Sequence, residues 1–424
     1  VKKLLTLLLF IVLFASSMYA SGFQLNEHGA RAMAMAGAFT GLANDPSAIY
    51  FNPAGITQLK GTQFYLGATM IMPLATYTTP LPNQSESEMV SQIFAPINFY
   101  ITHQFSDKLA VGLSVNNQYG LGTKWDPNWV GKYHAIETKI TSFFFTPVIA
   151  YKLTDNLSVS AGPTIAVATI LISQKTQNPV NPAAPDFLTT FNGNNTTAVG
   201  FTAGILYRLN DQWQFGLSYR SQSKFSFTGT ASSSPASFSF THPQLGPLTL
   251  TWPTGGITAP LTTPQNATFG LAYTPDKQWT VTFDFQYVGW SSYDNLTVTF
   301  DNYDTAPFTP GVQNTESLPR DYQNTYIVRL GFEYKATDAF SLRWGVLYDH
   351  NPIKDAFVDP TLPDADRVGF NIGFGGKLTD HLGIDFSYMF LSFATREVTN
   401  SVFNFNGTYS NTAHLFGLDF SYSL

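Results

Sequence analysis

Six short turns, each containing an Asp, punctuate the chain: Ser106-Asp107-Lys108, Thr154-Asp155-Asn156, Asn210-Asp211-Gln212, Pro275-Asp276-Lys277, Thr337-Asp338-Ala339 and Thr379-Asp380-His381. Each lies between two runs in which apolar and polar residues alternate. The runs reach the ~9–11 residues that a tilted strand needs to cross a bilayer. Six turns join twelve runs, and one more run lies outside at each end, giving fourteen. An even number places both ends of a closed barrel on the same side of a membrane. In hydrocarbon every backbone N–H and C=O must find an internal partner, which only helices and closed barrels provide. No stretch of the mature chain reads as a helix long and apolar enough to span.

Composition agrees with a lipid-facing protein. Charged residues make up 12% of the chain, about half the ~25% usual in soluble domains. Aromatic residues make up 15%, with 37 Phe and 21 Tyr, the side chains that outer-membrane barrels place on the lipid face and in interfacial girdles. The net charge of −6 argues against a nucleic-acid partner. The absence of Cys excludes disulfides, thiolate metal sites and cysteine catalysis.

Residues 1–20 read as a secretory signal, with Lys2 and Lys3 ahead of the apolar run Leu4 to Phe14 and cleavage expected after Ala20. Residues 21–61 lack strand alternation. From Glu27 to Asn44 they are rich in Ala, Gly and Met, and Asn52-Pro53-Ala54-Gly55 breaks the chain before the first strand. So many small residues suit a confined space, and the segment reads as one or two short helices forming a plug, or hatch, in the lumen of a barrel spanning 62–424.

Strands are expected near 62–79, 93–105, 108–120, 138–153, 157–173, 197–209, 213–229, 265–275, 279–300, 322–335, 340–351, 366–378, 382–398 and 411–424. Phe340, Leu342, Trp344, Val346 and Tyr348 alternate with Ser341, Arg343, Gly345, Leu347 and Asp349, the period-two pattern of a strand with one apolar face. Long connections fall at 121–137, 174–196, 230–264, 301–321, 352–365 and 399–410. Short turns at one end and long loops at the other match an outer-membrane barrel, with the short turns periplasmic.

The expected lumen face carries Arg208, Arg220, Asp284, Arg329, Glu333, Arg343, Asp385 and Asp419. Such charges pair to hold the plug, or an Arg attracts a ligand carboxylate; Arg329 and Arg343 are the candidates for that task. Leu347, Met389, Leu391 and Leu415 also point inward, which suits an apolar guest or packing against the plug. In the connection 121–137, Trp125 and Trp129 lie beside Lys124 and Lys132, a mix suited to an amphipathic acid or an aromatic ring. No His spacing suggests a metal site, and no cofactor is expected.

Ser21-Gly22-Phe23-Gln24-Leu25-Asn26-Glu27 followed by Asn52-Pro53-Ala54 resembles the mature N-terminus and plug of the FadL-type long-chain fatty acid transporters, whose relatives include carriers of toluene-like aromatic hydrocarbons. The likeness continues at Asn117-Gln118-Tyr119-Gly120-Leu121 and at Leu362-Pro363-Asp364-Ala365-Asp366-Arg367. The resemblance implies a fourteen-stranded antiparallel barrel closed by a hatch, in the outer membrane of a Gram-negative bacterium. It implies a ligand groove in the connections 121–137 and 174–196, and a lumen site near the mature N-terminus with Phe23 as a contact. It further implies a kink in the third strand, near Asn116 to Gly120, that leaves a wall gap beside Asn52-Pro53-Ala54 for sideways exit into lipid. Gly22 and Gly29 are the implied hinges.

The function expected is passive uptake of hydrophobic compounds, foremost long-chain fatty acids, with monoaromatic hydrocarbons as the alternative. An outer-membrane lipase-like enzyme or an adhesin would use the same fold, but no catalytic motif is evident. Expected partners are the hydrophobic solute, outer-membrane lipid with lipopolysaccharide, and the barrel assembly machinery; a monomer is expected.

Overall fold

The Asp-containing turns all close hairpins at one end of a single sheet. In five of them the residue before the Asp accepts the turn's N–H groups, as Asn210 does from Gln212 and Trp213 and Thr379 does from His381 and Leu382. In the fourth turn Asp276 itself accepts from Gln278 and Trp279. These short side-chain acceptors replace a backbone turn bond.

The computed structural model describes residues 22–178, 180–251, 254–301 and 314–424. The signal-sequence reading of 1–20 lies outside them. The barrel strands are β1 Thr62–Thr78, β2 Ile97–Gln104, β3 in two pieces Leu109–Asn116 and Gly120–Lys124, β4 Glu137–Thr154, β5 Leu157–Thr176 and β6 Phe187–Arg208. Then follow β7 (Trp213–Arg220, Lys224–Ser234), β8 (Gly255–Thr262, Asn266–Tyr273) and β9 (Trp279–Val288, Asn295–Phe300). The last five are β10 Thr325–Lys335, β11 Phe340–Asp349, β12 Arg367–Lys377, β13 Leu382–Phe393 and β14 Gly407–Ser423. Each pairs antiparallel with its neighbours in sequence, and β14 pairs with β1 from Gln63↔Ser423 to Thr78↔Thr408, so the sheet closes at fourteen strands.

Two sequence expectations need correction. The stretch 230–264 is not a loop: it extends β7 and β8, and between them Ser237–His242 and Gly246–Thr251 form a separate hairpin. Likewise 174–196 shrinks, because β5 runs to Thr176 and β6 begins at Phe187. Above the bilayer a strand has no lipid face, so its apolar alternation fades and it reads as loop.

Residues 22–61 touch the inner wall around the whole circumference. The Ala30 N–H donates to Asp419 on β14, and Asn371 on β12 donates to the Met33 carbonyl. Phe39 and Thr40 N–H groups donate to Asp284 on β9, and Asn52 donates to the Ile205 carbonyl on β6. Only a segment within the lumen reaches all these strands. Its close approach needs small residues: Gly41 lies against the Leu271 backbone, where a Cβ would come within 2.6 Å. Its helices, Ala30–Ala34 and Ala48–Phe51, are one turn each, and Pro53–Gln58 forms a 3-10 helix.

Candidate functional site at the broken third strand

Asn117, Gln118 and Tyr119 interrupt β3 and cost it part of its ladder to β2 and β4. Side chains and the N-terminal segment replace those bonds. Asn117 accepts from the Ile97 N–H at 2.8 Å and donates to the Ser142 carbonyl, bridging β2 and β4 across the break. Ser142 Oγ accepts from the Tyr119 N–H and donates to the Tyr119 carbonyl. The Leu25 N–H donates to the Gln118 carbonyl at 2.9 Å, and the Gly120 N–H donates to the Phe23 carbonyl at 3.0 Å. Gln24 and Tyr119 thus face each other as a short antiparallel bridge. The start of the described chain finishes the sheet where β3 breaks.

A cavity of about 480 Å³ lies beside this break, within the ~300–1,000 Å³ usual for small-molecule sites. Its lining comes from both faces of the wall. Leu74, Ile93, Ile97 and Phe143 face the lipid side, whereas Phe23, Tyr119, Leu391 and Leu415 are buried in the lumen. The cavity is therefore bordered by both faces of the wall. Its lateral boundary is the connection between β1 and β2, tied to β1 by paired bonds between Ile71 and Phe94 and to β3 by the Val90 N–H donating to the Lys124 carbonyl. The Phe94 ring fills the space over Gly122: a Cβ there would fall 1.9 Å from Phe94 Cζ.

The inner end is aromatic. The Phe23 ring stands edge-on to Trp290 at 4.7 Å, Tyr293 at 5.8 Å and Tyr119 at 6.0 Å. Trp290 comes from the interruption of β9, one of three breaks side by side. Thr263 in the break of β8 donates to the Ser223 carbonyl in that of β7, and Gly289 in the break of β9 donates to the Gln265 carbonyl. The Gly22 N–H donates to Asp364 at 2.7 Å, and with φ at 62° any larger residue would also push into Trp290. Burial pushes the Asp364 carboxyl up to about 6, against the opposing pull of the Arg367 guanidinium.

The structure brings together Gly22, Phe23, Asn117 and Gly120, all of which line the cavity. Asn116 stands just below it, donating to the Tyr100 hydroxyl. Asn52, Pro53 and Ala54 do not reach it. Asn52 caps the 3-10 helix by accepting from Ala54, and with Pro53 packs against Gly204 on β6, so this motif does not border the cavity, which lies instead beside residues 22–25. Trp125 and Trp129 are stacked at 4.2 Å and buried, their N–H groups donating to Pro360 and Ala135 carbonyls, so neither presents an open face to a groove. Lys124 and Lys132 are engaged with Glu137 and Asp186. Arg343 is held between Glu333 and Asp385 at 2.6 Å each. Arg329 lines a separate small cavity with Arg220 and Asp284. Neither arginine borders the main cavity.

Sequence reasoning missed Phe94 and Lys139, which line the cavity, and Trp290, which packs on Phe23. Trp290 follows a Gly in what reads as one continuous strand, and Gly289-Trp290 was the only local sign of an interruption.

The family profile described as "Outer membrane protein transport protein (OMPP1/FadL/TodX)" matches residues 11–424. The long-chain fatty acid transport protein of Escherichia coli O157:H7 is 24% identical over 97% of this chain and 96% of its own length. A Pseudomonas aeruginosa FadL homologue of known structure superposes with a TM-score of 0.79 at 22% identity, covering 95% of this chain and 100% of that one. The toluene transporter TodX of P. putida superposes with a TM-score of 0.72 at 17% identity, over 94% and 99%.

Proposed function

The chain belongs to the outer membrane protein transport family (OMPP1/FadL/TodX), and from that premise we propose that it carries long-chain fatty acids across the outer membrane through the cavity beside β3. It is an outer-membrane β-barrel transporter, not an enzyme. The observation that carries the reading is a cavity lined from both faces of the wall. Burial of each methylene is worth about 0.8 kcal/mol, so an acyl chain strongly resists full hydration. A route from lumen to lipid through the wall keeps it out of water, and no energy source is required.

In this reading residues 1–20 are cleaved, 21–61 form the hatch and 62–424 the barrel. Ligand binds near Phe23 and leaves past Asn117 and Gly120, with Gly22 accommodating movement of the segment. The mature protein is a monomer, inserted by the barrel assembly machinery and surrounded by lipid and lipopolysaccharide. The aromatic end formed by Phe23, Tyr119, Trp290 and Tyr293 supports a second reading, monoaromatic hydrocarbons as the solute.

Oleate binding to the detergent-folded protein, with toluene as competitor, separates the two. Saturable oleate binding that resists toluene and weakens in Phe23→Ala is the expected result. Toluene binding without oleate binding transfers the assignment to hydrocarbons. Binding of neither defeats the transport reading.

A further inference from the structure

We propose that Lys139 is the carboxylate-binding residue at the membrane-facing mouth of the cavity, so that an acyl ligand lies with its tail toward Phe23 and its head group outward. The inference rests on the uptake reading and adds an orientation and a head-group site to it.

The charges around the cavity are unequally placed. Among the described residues its lining contains two cations, Arg367 and Lys139, and two carboxylates, Glu27 and Asp364. Arg367 is committed: its Nε and Nη2 both donate to Asp349, at 2.9 and 2.8 Å. Glu27 and Asp364 are buried and form no ion pair among the described residues. Glu27 Oε2 accepts from the Asn26 N–H, and the two Asp364 oxygens accept from the Gly22 and Ala365 N–H groups. The inner end therefore offers two carboxyl groups and no cation free of a carboxylate partner. A ligand carboxylate brought there would face Glu27 and Asp364 at short range in a poorly screened site.

Lys139 is placed differently. It is exposed, and forms no ion pair or hydrogen bond among the described residues. The outward column of β4 gives its depth. Leu153, Tyr151, Ile149, Phe145 and Phe143 are exposed apolar residues; Thr141 and Lys139 follow on the same face. The apolar belt ends there, so the ammonium lies at the outer polar interface. In the register Lys139 is directly opposite Gly122, the residue over which the Phe94 ring packs. The lysine thus stands at the aperture, at the depth a fatty acid's carboxylate occupies once in the outer leaflet. Holding the head group there lets the tail pass from cavity to hydrocarbon while the charge stays at the interface. A neutral hydrocarbon gains nothing from it.

The test compares equilibrium binding of oleate and oleyl alcohol to the wild type, Lys139→Gln and Lys139→Arg, in nonionic detergent free of lipopolysaccharide. The expected result is a loss of about fivefold in oleate affinity for Lys139→Gln, the upper range for an exposed ion pair, with oleyl alcohol unchanged and oleate binding retained in Lys139→Arg. Equal losses for both probes, or unchanged oleate binding, overturn the inference. So does unchanged oleate binding accompanied by weakened lipopolysaccharide binding, which makes Lys139 a lipid anchor. Wild-type protein that binds the alcohol but not the acid overturns this inference and leaves hydrophobic uptake standing. Wild-type protein that binds neither overturns both.

Discussion

Asn117 and Asp364 each do what a backbone strand would otherwise do. Asn117 replaces ladder bonds on two sides of the break, and Asp364 fixes the first turn of the described chain through Gly22. The Asp364 carboxyl, raised by burial to about 6 from an ordinary value near 4, holds its proton more tightly in the folded protein. Its contribution to stability is complete below pH 4 and is lost as pH rises through about 6. Asp366, raised to about 7 by burial, acts in the same direction. The thermal midpoint of the detergent-folded protein is therefore expected to fall between pH 4 and 7, and Asp364→Asn is expected to flatten that slope; an unchanged slope contradicts it. Little of this is local in sequence. Phe23 entered through a family likeness, whereas Lys139 sits in an alternating run as an ordinary interface lysine. Its place at the aperture depends on which strand lies beside it and on where that strand breaks.

At the scale of elements, alternation and turn chemistry reveal that there are fourteen strands and where most of them begin. Interruptions and extensions are another matter. β5 and β6, at 20 and 22 residues, exceed the ~9–11 needed to span, and their outer parts lose the apolar signal. The breaks in β7, β8 and β9 lie side by side, so they are a property of the sheet and not of any one segment. The bridge between the N-terminal segment and β3 offers a direct test of whether that contact must open. Gln24 and Tyr119 oppose each other between the two bonds joining Leu25 to Gln118 and Gly120 to Phe23, the close type of antiparallel pair, with Cα atoms ~4.5 Å apart. That separation suits a disulfide, and the chain has no other Cys. Oxidised Gln24→Cys/Tyr119→Cys protein is expected to take up oleate more slowly than the wild type, and a reductant to restore the rate. Equal rates before and after reduction show that the bridge need not part.

For the whole molecule, the relation between wall and contents decides what crosses. Eight strands enclose a lumen that side chains fill, and larger barrels leave water channels. Here fourteen strands enclose residues 22–61, which bond to strands on all sides. The wild type is expected to give no steady ion current in planar bilayers, and a variant lacking residues 22–61 is expected to conduct; a conducting wild type would contradict the filled lumen.

That filled lumen also dictates an order of events. The segment's partners run from β1, where Thr69 donates to the Glu27 carbonyl, to β14, the last strand made, so its final position does not exist until the cylinder closes. Its two helices are of five and four residues, far below the length at which a helix persists alone in water. Residues 22–61 precede every strand in the chain, so they must wait as coil while the sheet is made and are the last to settle: a ship for which the bottle is blown around the timbers.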